Sequence, residues 1–266
     1  MARPIRRNDR GERKSGAFHG RPKPKAETGL EWIWGRHAVE AALANPKRER
    51  LERLLLAPGR TLATDRGPKP ETLDPREIDR QLPAGAVHQG IALLAAPAEA
   101  IDIEDIAWPA EGVILMLDQV TDPQNVGAIL RTAAAFGARG VVIQDRHAPQ
   151  LCGALAKAAA GAADVVPVVR AVNLSRALER LSALGWRSVG LAAGAEGTLD
   201  QVLDGAPTVL VLGSEGDGLR RLVAEHCDST ARIAMAEAFE SLNVAAAAAV
   251  ALYQARLLAR RGNPTP

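Results

Sequence analysis

The chain has 266 residues, of which 47% are hydrophobic and 24% are charged, a composition typical of a globular protein with a sizeable core. No apolar run reaches the roughly 18 residues that cross a bilayer, and the basic N-terminus lacks the apolar stretch of a secretory signal, so we expect a cytoplasmic protein without a membrane partner. The two cysteines have neither metal-ligand spacing nor the density of a disulfide framework, which predicts reduced thiols and no metal site.

Residues 1–28 form a strongly basic segment. They contain nine Lys and Arg against three Asp and Glu, and because the whole chain carries +2, the remainder carries a net charge of −4. The segment is rich in Gly and Pro and poor in large apolar residues, so it cannot bury enough surface to offset its conformational entropy. We predict a disordered arm that contacts nucleic-acid phosphates; the alternative is a tail that only aids solubility.

Residues 29–97 have the pattern of a small α/β domain. "LERLLLAP" and "HQGIALLAAP" indicate two strands, and a polar loop with a short helix lies between them. Ahead of them, "GRHAVEAALAN" has helical spacing of its apolar residues, which are Ala38, Val39, Ala42 and Leu43. Residues 98–110 are acidic and irregular, and we expect them to form a linker to a second domain over residues 111–266.

The second domain has six strand-like apolar runs that alternate with helical segments. The runs lie at 112–117, 140–144, 164–169, 187–192, 208–213 and 231–235. They lack the alternation of half-buried strands, which indicates burial on both faces and therefore a mostly parallel sheet covered by helices on each side. Ligands in such α/β folds bind beyond the carboxyl ends of the strands, so the residues that follow the runs are the informative ones.

Polar residues follow three of these runs. Asn125 and Arg131 come after the first, Glu215 after the fifth, and Ser241 with Asn243 after the sixth. Each has a structural alternative: Asn125 as a helix N-cap, Arg131 as a surface cation, and the glycine-rich loop around Glu215 as a tight turn. Helix capping explains one of these residues but not all five. Because parallel strands bring their carboxyl ends to one edge of the sheet, we expect the five residues to lie near one another.

The same edge carries groups suited to an aromatic ligand. The loop "GSEGDGL" offers main-chain N–H and C=O groups, and apolar Ile233, Met235 and Leu242 lie nearby in the chain. This combination fits a flat ring with polar edges, such as adenine. A dinucleotide-dependent oxidoreductase is disfavoured, because "LDQVTDPQNVG" and not a G-x-G-x-x-G turn follows the first strand.

Three segments of the second domain together resemble a known family. "NVGAILRTAAAFGA", "LVLGSEGDGL" and "IAMAEAFESLNVAAAAAVALYQ" are similar to motifs one, two and three of the SpoU-type (SPOUT superfamily) RNA ribose 2'-O-methyltransferases, in the same order. "WGRHAVEAAL" and "HQGIALLAAP" resemble the L30e-like RNA-binding domain of members that methylate a guanosine of bacterial 23S ribosomal RNA. The resemblance covers residues 31–261.

The resemblance implies methyl transfer from S-adenosylmethionine to a ribose 2'-hydroxyl, with 23S ribosomal RNA as substrate. It also implies a trefoil knot, which periodicity does not predict, and a homodimer whose site is completed across the interface. The implied cofactor-binding residues are Leu212, Gly213, Ile233, Met235 and Leu242, and the implied catalytic residues are Asn125, Arg131, Glu215, Ser241 and Asn243. The alternatives are a transfer-RNA 2'-O-methyltransferase and a catalytically inactive RNA-binding dimer.

The chemistry narrows the role of Arg131. A guanidinium is charged at neutral pH and is a poor general base, so we expect Arg131 to bind the adjacent phosphate and stabilise the developing alkoxide. The phosphate or a water would accept the proton. Asn125, Ser241 and Asn243 would orient Arg131 and the ribose, and Glu215 would pair with Arg131 or anchor a loop.

The third motif departs from the family pattern at three positions. Ala234, Glu237 and Ala245 stand where Pro, Gly and Ser are common, and Glu237 bears on the conformation of the cofactor loop. The alanine run 245–249 allows close helix approach. The resemblance places this helix at the dimer contact; the alternative is packing within one chain.

Overall fold

The N-terminal domain is a four-stranded sheet with two helices. The structure, a computed structural model, describes residues 29–146, 148–236 and 241–262, the last four of these by backbone only. The predicted basic arm and Glu237 lie outside the described residues. The elements of this domain are β1 (Glu31–Trp34), α1 (Arg36–Ala44), β2 (Leu51–Leu56), β3 (Pro70–Thr72), α2 (Pro75–Gln81) and β4 (Ile91–Ala95).

This domain confirms the predicted helix and both predicted strands. The strand order is β1-β4-β2-β3, with β4 antiparallel to both of its neighbours and β3 parallel to β2. Helix α1 buries the four residues expected from its spacing, Ala38, Val39, Ala42 and Leu43. Strand β1 was not predicted, because four residues are too few for a periodicity to be recognised.

The segment predicted to be an irregular linker contains a helix, α3 (Ile103–Ala107). Ile103 and Ile106 are spaced to share one helix face, and both are buried against the sheet of the second domain. The indole Nε1 of Trp186 donates to the carbonyl of Ala107 at 2.9 Å. By its packing, this part of the segment belongs to the second domain.

The second domain has the predicted parallel sheet. Its strands are β5 (Val113–Leu117), β6 (Gly140–Gln144), β7 (Val168–Ala171), β8 (Arg187–Leu191), β9 (Thr208–Leu212) and β10 (Ser229–Ala231). Its further helices are α4 (Pro123–Phe136), α5 (Gly153–Ala158), α6 (Leu174–Ala183), α7 (Leu199–Val202), α8 (Arg221–Glu225) and α9 (Val244–Gly262). The strand order is β10-β8-β9-β5-β6-β7, and every pairing is parallel.

Helices cover both faces of this sheet, as the apolar runs predicted. Along β5, Leu115 and Leu117 pack into the cluster that contains α4 and α9, whereas Ile114 and Met116 pack into the cluster that contains α3 and α6. All four side chains are almost fully buried, so the strand lacks the polar face that would produce alternation.

Two predicted strands have different bounds in the structure. Strand β7 begins at Val168, because residues 162–164 form a short 3₁₀ turn. Strand β10 ends at Ala231, so Ile233 and Met235 lie in the following loop. Both changes leave more residues in the connections at the ends of these strands.

Within the described residues, no helix is long and apolar enough to cross a membrane.

A buried arginine joins the two domains. Arg48 is 1% exposed. Its Nη1 lies 2.9 Å from Oε1 of Glu31 and 2.7 Å from the carbonyl oxygen of Ala96, and its Nε lies 2.5 Å from Oδ1 of Asp164. Asn45 Nδ2 also donates to Asp164, at 2.9 Å. Because Asp164 belongs to the second domain, these bonds attach the N-terminal domain to it.

Arg48→Ala is expected to lower the free energy of unfolding by about 3 kcal/mol, because two buried carboxylates would lose their cation. The matched control is Arg50→Ala, since the ion pair of Arg50 with Glu52 is exposed and is worth less than about 1 kcal/mol. Guanidinium chloride unfolding measures both. Equal losses in the two variants would show that the junction does not depend on Arg48.

Candidate active site

A cavity of about 660 Å³ opens at the carboxyl edge of the parallel sheet. The loops after β8, β9 and β10 and the start of α9 form its walls. All five predicted cofactor-binding residues line it: Leu212, Gly213, Ile233, Met235 and Leu242. Three of the predicted catalytic residues also line it, namely Glu215, Ser241 and Asn243. The structure therefore brings eight predicted residues from distant parts of the chain to one place.

One wall of the cavity was missed by the sequence interpretation. Leu191, Ala192 and Ala193, at the end of β8 and just after it, also line the cavity. These residues lie at the end of the fourth predicted strand and just after it, so the rule that ligands bind beyond strand ends was the available signal. Their side chains are apolar and have no reactive group, so their sequence does not indicate a site.

The glycine-rich loop after β9 is a tight turn and also a cavity wall. A Cβ at Gly213 would lie 2.1 Å from the main-chain carbon of Gly218, so a side chain there is excluded by the loop itself. Ser214 and Gly218 exchange two main-chain hydrogen bonds of 3.1 Å. Gly216 has a φ of +96°, which favours glycine. The turn holds Glu215 at the cavity rim.

Three polar side chains form a hydrogen-bonded cluster beside the cavity. Oε1 of Glu215 accepts from Nδ2 of Asn125 at 3.0 Å and from Nδ2 of Asn243 at 2.6 Å. Nδ2 of Asn243 also donates to Oδ1 of Asn125, at 3.0 Å. The cluster joins the three strand-end segments that the sequence predicted to converge. We refer to Asn125, Glu215 and Asn243 as the polar cluster.

Asn125 is not the N-cap of α4. Asp122 has that role, because its side chain accepts from the main-chain N–H of Gln124 at 3.1 Å and Pro123 is the first helical residue. Asn125 lies within the first turn, where its side chain is free to join the polar cluster.

Asn243 does act as a cap. Its Oδ1 accepts from the main-chain N–H of Ala245 at 2.9 Å, at the start of α9. Because its Oδ1 is used in this way, its Nδ2 points to Glu215 and Asn125. One side chain thus fixes the start of the helix and the geometry of the polar cluster.

Arg131 and Ser241 stand apart from the polar cluster. Arg131 lies six residues after Asn125 on α4, which turns its side chain by about 120° around the helix axis. It is exposed and makes no hydrogen bond or ion pair with the described part of the chain. Glu215 therefore does not pair with Arg131 here and instead anchors a loop. Ser241 is exposed at the cavity, and its hydroxyl has no partner among the described residues.

The cavity offers unused polar groups to a ligand. The main-chain N–H and C=O groups of Ile233 and Met235 make no hydrogen bond within the described chain. The hydroxyl of Ser214 is buried and also unpaired. A buried hydroxyl without a partner is unfavourable, and free main-chain groups that line a cavity are open to a ligand, so the set suits a ligand with polar edges. The carboxylate of Glu215 at the rim favours a ligand that carries positive charge.

The cysteines do not contribute a nucleophile. Burial raises the pKa of both thiols, Cys152 and Cys227, to about 12, so they stay protonated at neutral pH. Neither forms a disulfide. In the described ranges, no group of three or more His, Cys, Asp or Glu side chains is arranged to hold a metal ion.

Two family models match the chain. Residues 112–253 match the SpoU rRNA Methylase family, and residues 32–100 match the domain described as RNA 2'-O ribose methyltransferase substrate binding. The 23S rRNA (guanosine-2'-O-)-methyltransferase of Pseudomonas aeruginosa is 41% identical over 244 residues, which cover 84% of this chain and 95% of that protein.

Solved structures agree with the sequence relatives. An rRNA methyltransferase from Sinorhizobium meliloti with bound AdoMet is 25% identical, with a TM-score of 0.72 over 89% of each chain. A protein described for 2-OH methylation of C/U34 on tRNA is 28% identical, with a TM-score of 0.51 over 56% of this chain and 97% of its own. The match at residues 112–253 includes the first two motifs, the third up to Tyr253 and every residue that lines the cavity, and the chain belongs to the SpoU rRNA methylase family.

Proposed function

We propose that the protein transfers a methyl group from S-adenosylmethionine to a ribose 2'-hydroxyl in RNA, with a guanosine of 23S ribosomal RNA as the substrate. The main support is that the segments after β9 and β10 line one cavity, and that the polar cluster at its rim joins them to Asn125 from the segment after β5. Membership of the SpoU family and the likeness to the Pseudomonas enzyme over both domains support the choice of RNA.

The cavity fits S-adenosylmethionine. Its volume of about 660 Å³ lies within the range of small-molecule sites. Apolar Leu212, Ile233 and Leu242 would contact the adenine ring, while the unused main-chain groups of Ile233 and Met235 would bind its polar edge. The carboxylate of Glu215 would favour the positive sulfonium. When bound, the cofactor supplies an electrophilic methyl group.

The chain's own residues would orient the ribose and stabilise charge. The polar cluster is rigid, because each of its three members is hydrogen-bonded to both others. The cluster and the Ser241 hydroxyl, which lies at the cavity, would together hold the ribose so that its 2'-oxygen is aligned for attack. Arg131 would bind the neighbouring phosphate and stabilise the developing alkoxide. The phosphate or a water would take the proton.

We propose a homodimer with α9 at its contact. Val250 is 43% and Tyr253 53% exposed on this helix, and Tyr253 packs edge-on against Phe136 of α4 at a centroid distance of 6.0 Å. Exposed apolar residues beside small alanines allow close approach of a second copy. Arg131, also on α4, has no partner among the residues that the structure describes, which supports a site completed across this contact.

The finer features of the fold are also proposals. The parts of the chain that follow β9 and β10 would form the trefoil knot that the resemblance implies. The N-terminal domain, residues 29–97, would be L30e-like. A cytoplasmic location is expected for an enzyme that acts on ribosomal RNA.

A transfer-RNA substrate is the other candidate. The likeness to the protein described for transfer-RNA methylation covers 56% of this chain, whereas the Pseudomonas relative covers 84%. The relative that covers more of this chain is a 23S rRNA methyltransferase, and this greater coverage favours ribosomal RNA. Mapping of ribose methylation in total RNA from cells with and without the gene decides between the two. Loss of a single 23S position supports the proposal, whereas loss of a transfer-RNA position contradicts it.

Deletion of residues 1–28 is expected to weaken RNA binding and to flatten its salt dependence, because the nine cations of this segment would no longer displace counterions from phosphates. Filter binding to a 23S fragment over a range of salt concentrations measures the slope. A chain in which these cations are replaced by Gln is the matched control for segment length. An unchanged slope in both variants would show that the segment does not contact RNA.

A further inference from the structure

Both ends of the glycine-rich loop converge on one residue outside the cavity. Asp118 directly follows β5, and its main-chain N–H donates to the carbonyl of Leu212, the last residue before the loop, at 2.8 Å. The Asp118 carboxylate accepts from Arg220, where the loop ends, through the main-chain N–H at 2.9 Å and through Nε at 2.7 Å. Asp118 thus bonds to the chain just before the loop begins and again where the loop ends.

In the ion pair between Asp118 and Arg220, the carboxylate is buried and the guanidinium is partly exposed. The side chain of Asp118 is 0% exposed, whereas that of Arg220 is 39% exposed. A buried carboxylate without a partner is strongly unfavourable, so the loop end cannot leave Asp118 without a loss of stability. Charge-assisted hydrogen bonds in such surroundings are also stronger than neutral ones. The pair therefore fixes the end of the loop more firmly than a surface ion pair does.

A hydrophobic contact fixes the same end of the loop. Leu219 packs against β8 at Gly190, where an added Cβ would lie 2.8 Å from the Leu219 side chain. In contrast, Glu215, Gly216 and Asp217 in the middle of the loop are exposed. The position of Glu215 thus depends on how the two ends are held.

We propose that Asp118, acting with Arg220, is a positioning residue that holds the glycine-rich loop in its ligand-binding form. Asp118 does not line the cavity and acts through the loop that does. Its bonds place the wall at Gly213 and the carboxylate of Glu215 before any ligand arrives. The inference rests on the proposed function, because the ligand concerned is S-adenosylmethionine.

The test compares cofactor affinity with stability in the full chain. In Asp118→Asn, one of the two donor groups of Arg220 faces an amide N–H₂ group and loses its acceptor. We expect the Kd for S-adenosylmethionine to rise about tenfold, which corresponds to the free energy of one charge-assisted hydrogen bond. Arg220→Ala keeps the main-chain bond and is expected to lose less. Arg220→Lys, which retains charge and one donor, should fall between Arg220→Ala and the wild type. The double variant should lose no more than Asp118→Asn alone, because the two residues act as a unit.

Two controls separate positioning from general stability. Arg221→Ala removes the neighbouring cation, which is 78% exposed and paired with Glu225 on its own helix, and should leave the Kd unchanged. Asp228→Asn removes a carboxylate that accepts two hydrogen bonds of 2.7 Å from Ser188, away from the loop. It should lower the melting temperature without changing the Kd.

The outcomes are distinguishable by calorimetry and thermal unfolding. A raised Kd in Asp118→Asn and in Arg220→Ala, with native unfolding curves, supports the inference. If Asp118→Asn lowers the melting temperature as Asp228→Asn does but binds the cofactor normally, Asp118 is only structural and the inference is overturned. If Asp118→Asn fails to fold, Arg220→Ala decides, because that side chain is partly exposed. A wild-type chain that does not bind S-adenosylmethionine contradicts the proposed function instead.

Discussion

Arg131→Ala is expected to abolish methyl transfer, a loss of about a thousandfold or more, while the affinity for S-adenosylmethionine stays within a few-fold of the wild type. Arg131 does not line the cavity and makes no hydrogen bond within the described chain, so the cavity does not depend on it. The charge of its guanidinium matters when the ribose oxygen becomes negative. Removal should therefore lower kcat and leave cofactor binding intact.

The control for this variant is Arg176→Ala. Arg176 is an exposed arginine in the first turn of α6, which packs on the opposite face of the sheet. It matches Arg131 in type and exposure but lies away from the polar cluster. Single-turnover transfer of labelled methyl measures the chemical step, and calorimetry measures cofactor affinity. A large loss of cofactor affinity in folded Arg131→Ala would overturn the assignment of Arg131 to the chemical step.

Glu215→Ala is expected to reduce both methyl transfer, by about a thousandfold, and cofactor affinity, by about tenfold. The carboxylate accepts from Asn125 and Asn243, and its Oε1 also lies 3.4 Å from the main-chain nitrogen of Val244. Without it, two amides and the start of α9 lose their common acceptor. Glu215→Gln keeps an oxygen acceptor but loses the charge, so its losses should be smaller.

Asp217→Ala is the matched control for Glu215, because Asp217 is an exposed acid in the same loop and makes no hydrogen bond with the described residues. It should behave as the wild type in both assays. The two predictions also differ from each other: Arg131→Ala should separate kcat from cofactor affinity, whereas Glu215→Ala should change both. The polar cluster would be incidental to function if Glu215→Ala retained activity.

The sequence predicted the parallel sheet well because burial on both faces leaves continuous apolar runs. It predicted the meeting of Asn125, Glu215 and Asn243 for a topological reason, since the carboxyl ends of parallel strands share one edge. The sequence did not predict which residues cap the helices at this edge of the sheet. Asp122 and Asn243 both have side chains suited to capping, and only the structure shows how each is used.

Other features depend on contacts between distant segments and left no local signal. Helix α3 was missed because five residues give too short a pattern, although Ile103 and Ile106 are spaced for one face. Arg48 lies in the charged run "KRER", which resembles a solvated surface, yet it is buried between Glu31 and Asp164. The orientation of Arg131 relative to Asn125 follows from helix geometry once both are known to lie in α4; the sequence pattern placed the start of this helix after Asn125, three residues too late.

The identity of the methylated product tests the proposed function most directly. The purified chain is incubated with S-adenosylmethionine and unmodified 23S ribosomal RNA, and the digested nucleosides are identified by mass spectrometry. We expect 2'-O-methylguanosine at one position, absent with Arg131→Ala and present with Arg176→Ala. Methylation of a base, or no transfer by a chain that binds both RNA and cofactor, would contradict the proposed function.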